Sequence, residues 1–169
     1  SSSPRSSASG CVFKDRRSAG SSWTTSSPRG LPGRGKPAPR VEEFDLLLPR
    51  VTPPATLATC FSASPLDRLN HSAGKSYADC ARMWLRRPPS APDWVAFPDD
   101  EQAVVDILDW AQARNVAVIP YGGGSSVCGG VEAAVGSGFA GTVSIDLERL
   151  NRVLEVDPIS RAARIQAGA

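Results

Sequence analysis

Histidine is nearly absent from this chain: His71 is the only one in 169 residues. Of the cysteines Cys11, Cys60, Cys80 and Cys128, no two stand in a C-x-x-C pair. Zinc sites and Cys/His/Asn nucleophile sets therefore lack sequence support, and no metal ligand set is expected. The wide cysteine spacing, with no secretory signal ahead of it, points to reduced thiols in an intracellular compartment. No apolar run approaches the ~20 residues that span a bilayer, so no transmembrane segment is expected. No lysine follows the glycine cluster and no G-x-G-x-x-G opens a helix, so neither a P-loop nor a Rossmann fingerprint is present. No internal repeat is visible.

Charge divides the chain in two. Residues 1–40 hold eight Lys/Arg against Asp15 alone, a net +7, while the remainder holds eleven basic and sixteen acidic residues, a net −5. The first segment is rich in Ser, Pro, Gly and Arg, with no periodicity. It cannot bury enough apolar surface to offset its ordering entropy, so a disordered tail is expected over 1–40. Ser/Arg-rich, acid-poor composition also suits organelle transit peptides, but no amphipathic helix is visible. The plainer reading is an unstructured tail, or sequence carried along from an imperfect gene model. Its arginines are dispersed and unaccompanied by aromatics, which argues against nucleic acid as a partner. The chain opens at Ser1 without an initiator methionine, so its start is expected to be missing.

Residues 41–91 read as an N-terminal arm. Val41–Leu48 predicts a short helix stopped by Pro49, and Pro53, Pro54 and Pro65 predict irregular structure after it. A helical turn is expected through Ala78–Leu85, following the His71–Tyr77 motif. A lone histidine such as His71 is more often structural than catalytic.

Residues 92–169 read as an α/β unit. Trp94–Phe97 predicts a strand, and Asp99 or Asp100 an N-cap. Val104, Ile107, Leu108 and Ala111, widened by Trp110, predict one apolar helix face. The helix should end near Arg114-Asn115. Val116–Ile119 returns as a strand that Pro120 should end, because proline has no N–H for the ladder. The two strands should be parallel with a right-handed crossover. Thr142–Asp146 is a third strand; Val153–Asp157 and Ala162–Ala167 should form an antiparallel hairpin.

After Val116–Ile119 come Pro120, Tyr121, Gly122, Gly123, Gly124, Ser125, Ser126 and Val127. Glycine permits positive φ and lets the main chain approach a ligand. A glycine turn can aim several N–H groups into one anion-binding concavity, with the Ser125 and Ser126 hydroxyls at its rim. Composition alone also allows a plain turn. The loop leaves the carboxyl end of a strand, where open α/β sheets bind ligands.

This stretch, with Gly129-Gly130-Val131 behind it, resembles the pyrophosphate loop of vanillyl-alcohol-oxidase-type, PCMH-type FAD-linked oxidases. His71–Asp79, Pro92–Pro98, Ile145–Val153 and Ala167–Ala169 extend the resemblance over roughly residues 66–169. Together they look most like the alkylglycerone-phosphate synthase branch. The resemblance implies an α/β (α+β) fold, with a βαβ unit plus further strands forming the first subdomain of an FAD-binding domain cut short at Ala169. It implies FAD as cofactor, its pyrophosphate wrapped by Gly122–Ser126 with Pro120, Tyr121 and Val127 bordering. Some relatives attach the flavin through a histidine at the position of Gly124; glycine has no nucleophile, so FAD should be non-covalent here. Cys128 is a neighbouring thiol for which an incidental role outweighs a flavin link.

In that branch a fatty acyl group on dihydroxyacetone phosphate is exchanged for a fatty alcohol, so a small-molecule or lipid substrate is implied, and a peroxisomal address ahead of a mitochondrial or plastid one. The runner-up is a D-lactate or glycolate dehydrogenase type, whose members usually carry a bulkier or acidic residue where Val127-Cys128-Gly129 stands. A third reading is a non-catalytic remnant. The family's catalytic tyrosine and histidines lie beyond Ala169, so no catalytic residue is named, and any homodimer would form through that part. These 169 residues alone should bind FAD weakly and turn over nothing.

Overall fold

The structure, a computed structural model, describes residues 37–169. The tail expected over residues 1–40 lies, up to residue 36, outside the described residues, as does Cys11.

Among the described residues, six strands form two sheets. Strands β1 (Phe61–Ser62), β2 (Trp94–Ala96), β3 (Val116–Tyr121) and β4 (Gly141–Asp146) make one sheet in the order β1-β2-β4-β3. Strands β5 (Val153–Asp157) and β6 (Ala162–Ile165) form a separate antiparallel hairpin. β4 is central and buried at all six positions, pairing in parallel with β2 on one side and β3 on the other. The parallel βαβ expectation holds with one change: β4 slots between the two strands, so β2 and β3 share a direction but no ladder.

Helix α3 (Glu101–Ala113) supplies the crossover. Asp100 caps it, its carboxylate accepting from the Ala103 N–H at 2.8 Å. Arg114 is the C-cap, and Asn115 turns the chain with φ 54°. Ile107 and Ala111 are buried in a cluster with Ala96, Val116, Val143 and Ile145. Phe61 bridges Trp94 and Trp110 edge-on, at ring distances of 6.2 and 5.3 Å. Leu108, expected in the stripe, is 45% exposed. The buried face centres near Ile107 and reaches Trp110 and Val104, and Leu108 lies about 100° around the helix from Ile107. Replacing Asp100 with alanine should remove about 1 kcal/mol; chemical denaturation should show a lower midpoint with an unchanged slope.

Three further expectations need correction. Pro120 does not end β3: it pairs with Ile145 in register, and the strand runs on to Tyr121. β3 is an edge strand, where a proline can sit with its donor-less nitrogen turned away from the ladder. Val41–Leu48 is not a helix but one 3-10 turn, Val41–Glu43, followed by extended chain. Residues 53–65 are more ordered than their prolines suggested. They hold a 3-10 turn (Ala55–Cys60), then β1, and Pro65 opens helix α1 (Pro65–Asn70) at a first-turn position. Proline's missing N–H costs nothing there.

The arm is therefore built into the sheet, β1 pairing antiparallel with β2. A second tie is Asp93, at the entrance to β2. Its carboxylate accepts from the Arg50 main chain, the Arg50 guanidinium, and the N–H and hydroxyl of Thr142.

Candidate functional site: the glycine loop and the segment beneath it

The glycine loop leaves the carboxyl end of β3 at the sheet edge. Its conformation follows from what lies under it. Tyr121, the last residue of β3, is 8% exposed, with its hydroxyl donating to the Asn70 carbonyl at 2.9 Å. Burial, and secondarily the charge of Asp146, pushes its phenol up to about 12. It serves as a neutral, packed hydrogen-bond donor.

Gly124 sits directly against this ring. Its φ is +64°, and a Cβ there would overlap the Tyr121 hydroxyl. Both the conformation and the space demand glycine at this position. Gly122 and Gly123 differ: nothing stands within 4 Å of where a Cβ would be. Their missing side chains leave open space beside the backbone. Of the three, only Gly124 adopts the positive φ that the sequence suggested for the run.

A second contact comes from the His71–Asp79 motif. The Lys75 N–H donates to the Ser126 carbonyl at 2.8 Å. Gly74 makes that approach close enough for a Cβ to overlap the same carbonyl oxygen. Helix α2 (Tyr77–Trp84) then starts at once, with Ser76 and Asp79 forming a reciprocal capping box. The arm and the loop thus meet backbone to backbone.

The donors of the loop remain unpaired. Within the described residues, the N–H groups of Gly123, Gly124, Ser125 and Ser126 find no acceptor. The Ser126 hydroxyl accepts from the Gly130 N–H at 3.0 Å, which leaves its own proton to donate. Ser125 and Val127 are exposed, Val127 at 71%. Pro120 is exposed on the outer edge of β3. Of the eight expected residues, Tyr121 and Gly124 are therefore buried supports. Gly122, Gly123, Ser125 and Val127 are accessible, and Ser126 lies between. An open main chain with unpaired N–H donors and no Cβ beside it fits a bound diphosphate group.

A cleft of about 520 Å³ lies on the other flank of the loop, between Val127–Gly129 and the first turns of α2. Its acids, Asp79 and Glu132, suit a phosphate poorly, and Arg82 is shared between them at 3.5 and 3.4 Å. Asp79 Oδ1 is buried without a hydrogen-bond partner and lies 3.5 Å from that guanidinium. Cys128, in this cleft, is a free exposed thiol 3.7 Å from the Ser126 hydroxyl. Among the described residues no cluster of three metal-ligating side chains occurs, and no helix is long and apolar enough to cross a membrane.

The family described as FAD binding domain matches residues 92–169, from the turn before β2 through the glycine loop to the end of the chain. Over residues 92–169 the chain is similar to that FAD-binding domain family. Its cofactor is FAD. An alkyldihydroxyacetonephosphate synthase of Dictyostelium discoideum is 39% identical over 103 residues, covering 61% of this chain and 16% of that protein. A D-2-hydroxyglutarate dehydrogenase of Xanthomonas citri pv. viticola is 37% identical over 87 residues, covering 52% of this chain and 17% of its own length. A solved alkyldihydroxyacetonephosphate synthase superposes on 79% of this chain with a TM-score of 0.68 and 31% identity, and the match covers 27% of that structure. The mixed sheet described above is thus the FAD-binding fold of that enzyme. The chain spans about a sixth of the length of these curated relatives.

Sequence inspection found the loop but not what holds it. Gly74 and Asp146 lie in stretches that carry the resemblance, but nothing local pairs Asn70, Gly74 and Asp146 with Tyr121, Ser126 and His71, contacts that span 51, 52 and 75 residues. Only the fold brings them together.

Proposed function

We propose that Gly122–Ser126 hold the pyrophosphate of FAD through their main-chain N–H groups, with Pro120, Tyr121 and Val127 bordering them. One observation carries this: four successive N–H groups without acceptors among the described residues, beside two glycines that face open space. Gly124 carries no nucleophile, so the flavin is held without a covalent bond. When bound, FAD supplies the reactive isoalloxazine ring, and this chain's residues bind and orient it.

The whole protein is best read as an alkylglycerone-phosphate synthase-like enzyme of ether-lipid synthesis, acting on a small-molecule or lipid substrate. Support comes from the synthase likenesses in sequence and in structure. A 2-hydroxy-acid dehydrogenase is the second reading, favoured by the dehydrogenase likeness. Val127-Cys128-Gly129, small and uncharged, inclines the choice to the synthase, and with it to an intracellular, peroxisomal address. A homodimer would use surfaces outside these residues.

On this account the 169-residue chain binds FAD and shows no turnover. Titrating FAD into the chain, followed by flavin fluorescence anisotropy, should give weak, saturable binding that ADP competes away. Binding that ADP leaves untouched would contradict a pyrophosphate site. Acyl-for-alkyl exchange by the purified chain would overturn the expected inactivity.

A further inference from the structure

His71 is 5% exposed, and both of its ring nitrogens face oxygen acceptors. Nδ1 lies 2.7 Å from the Asp67 carbonyl, and Nε2 lies 2.9 Å from Asp146 Oδ2. A carbonyl only accepts, so Nδ1 carries a proton. The second contact is a hydrogen bond only if a further proton lies between Nε2 and the carboxylate. At 2.9 Å the separation is that of a hydrogen bond. Asp146 is fixed in turn: it ends β4, is 6% exposed, and its other oxygen accepts from the Glu148 N–H at 2.9 Å.

The imidazole so held is a platform. The Tyr121 ring lies against it at 4.1 Å between centroids, tilted by 47°. Phe97 meets the imidazole edge-on at 5.8 Å and itself carries the Arg149 guanidinium over its ring. Tyr121 in turn fills the space under Gly124. Asp146 to His71 to Tyr121 to Gly124 is thus an unbroken chain of contacts from the central strand to the middle of the glycine loop.

We propose that His71 and Asp146 are positioning residues for the FAD loop: their shared proton fixes the imidazole, the imidazole seats Tyr121, and Tyr121 presets Gly124. The inference rests on the loop being the pyrophosphate site. It extends that reading to a pair with no direct contact to the loop. Presetting the donors spares the ordering cost of binding, so its loss shows as weaker affinity.

The test uses the 169-residue chain and two replacements. His71→Phe with Asp146→Leu exchanges the buried polar pair for an apolar one, a change that buried pairs often tolerate without loss of stability. Asp146→Asn keeps the shape and one hydrogen bond, and serves if the double variant does not fold. In the parent, nitrogen-edited NMR should show a slowly exchanging His71 Nε2 proton. In both variants the amides of Gly123–Ser126 should exchange faster without FAD, those of α3 should stay unchanged, and FAD should bind about tenfold more weakly. Absence of the Nε2 proton, or loop exchange and FAD affinity unmoved in a folded variant, overturns the proposal. If the parent binds no FAD while the loop amides still loosen in the variants, the positioning stands and the loop's pyrophosphate role falls.

Discussion

Replacing Asp93 with alanine should lower the stability of this domain by about 3 kcal/mol, a large share of the roughly 5–15 kcal/mol typical of folded domains. Asp93 is 4% exposed and ties three segments together. It accepts from the Arg50 N–H at 2.9 Å, from the Arg50 guanidinium at 2.8 Å, and from the Thr142 N–H at 2.7 Å. Truncation leaves the Thr142 donors buried and unpaired. The Arg50 side chain is half exposed and rehydrates, so its charge adds less than a buried cation would.

The pH dependence follows with a definite sign. Burial alone would raise the Asp93 carboxyl, but the bonds from Arg50 and then Thr142 outweigh it and hold the group below its ordinary value. A lowered folded-state value means that the stabilisation is present above the ordinary carboxylate range and is lost as pH falls through that range and below it. Urea melts from pH 7 down to pH 3 should therefore show a stability loss in the parent that is reduced in Asp93→Asn. Parallel pH profiles in the two proteins would contradict this role.

Replacing Gly124 with alanine should weaken FAD binding by about tenfold or more. Leaving glycine at φ +64° costs about 1–2 kcal/mol, and the new Cβ must also displace the Tyr121 hydroxyl. Either route moves the loop, and 1.4 kcal/mol corresponds to a factor of ten in affinity. Gly123→Ala provides the contrast. Its Cβ meets nothing within 4 Å, so the free protein should keep its stability within about 0.5 kcal/mol. The methyl would instead stand in the open space where a diphosphate approaches, so FAD binding should still fall. Thermal melts and FAD titrations on both variants separate the two effects. Equal FAD affinity in the parent and in Gly124→Ala would contradict the account of the loop.

The sequence shows most clearly where signals are local. Asp100 ahead of a periodic apolar stripe defines α3, and the β-branched run Val116–Ile119 defines most of β3. Errors arise where a residue's meaning depends on position in the sheet. Pro120 reads as a strand terminator until β3 is known to be an edge strand. Pro65 reads as a breaker, yet it starts α1. β1 is too short to carry a period, so its pairing with β2 leaves no trace in the sequence. The site divides in the same way. The glycine run is visible, whereas the support of Gly124 by Tyr121, and of Tyr121 by His71 and Asp146, depends on contacts across the fold.

The central claim is that the loop's main-chain N–H groups take the pyrophosphate of FAD. Amide NMR of the 169-residue chain, titrated in parallel with FAD and with riboflavin, tests this most directly. Riboflavin has the flavin ring but no phosphate. The account predicts that FAD shifts the amides of Gly123, Gly124, Ser125 and Ser126 and that riboflavin leaves them in place. FAD-dependent shifts that avoid these four amides, or equal shifts with riboflavin, would contradict it.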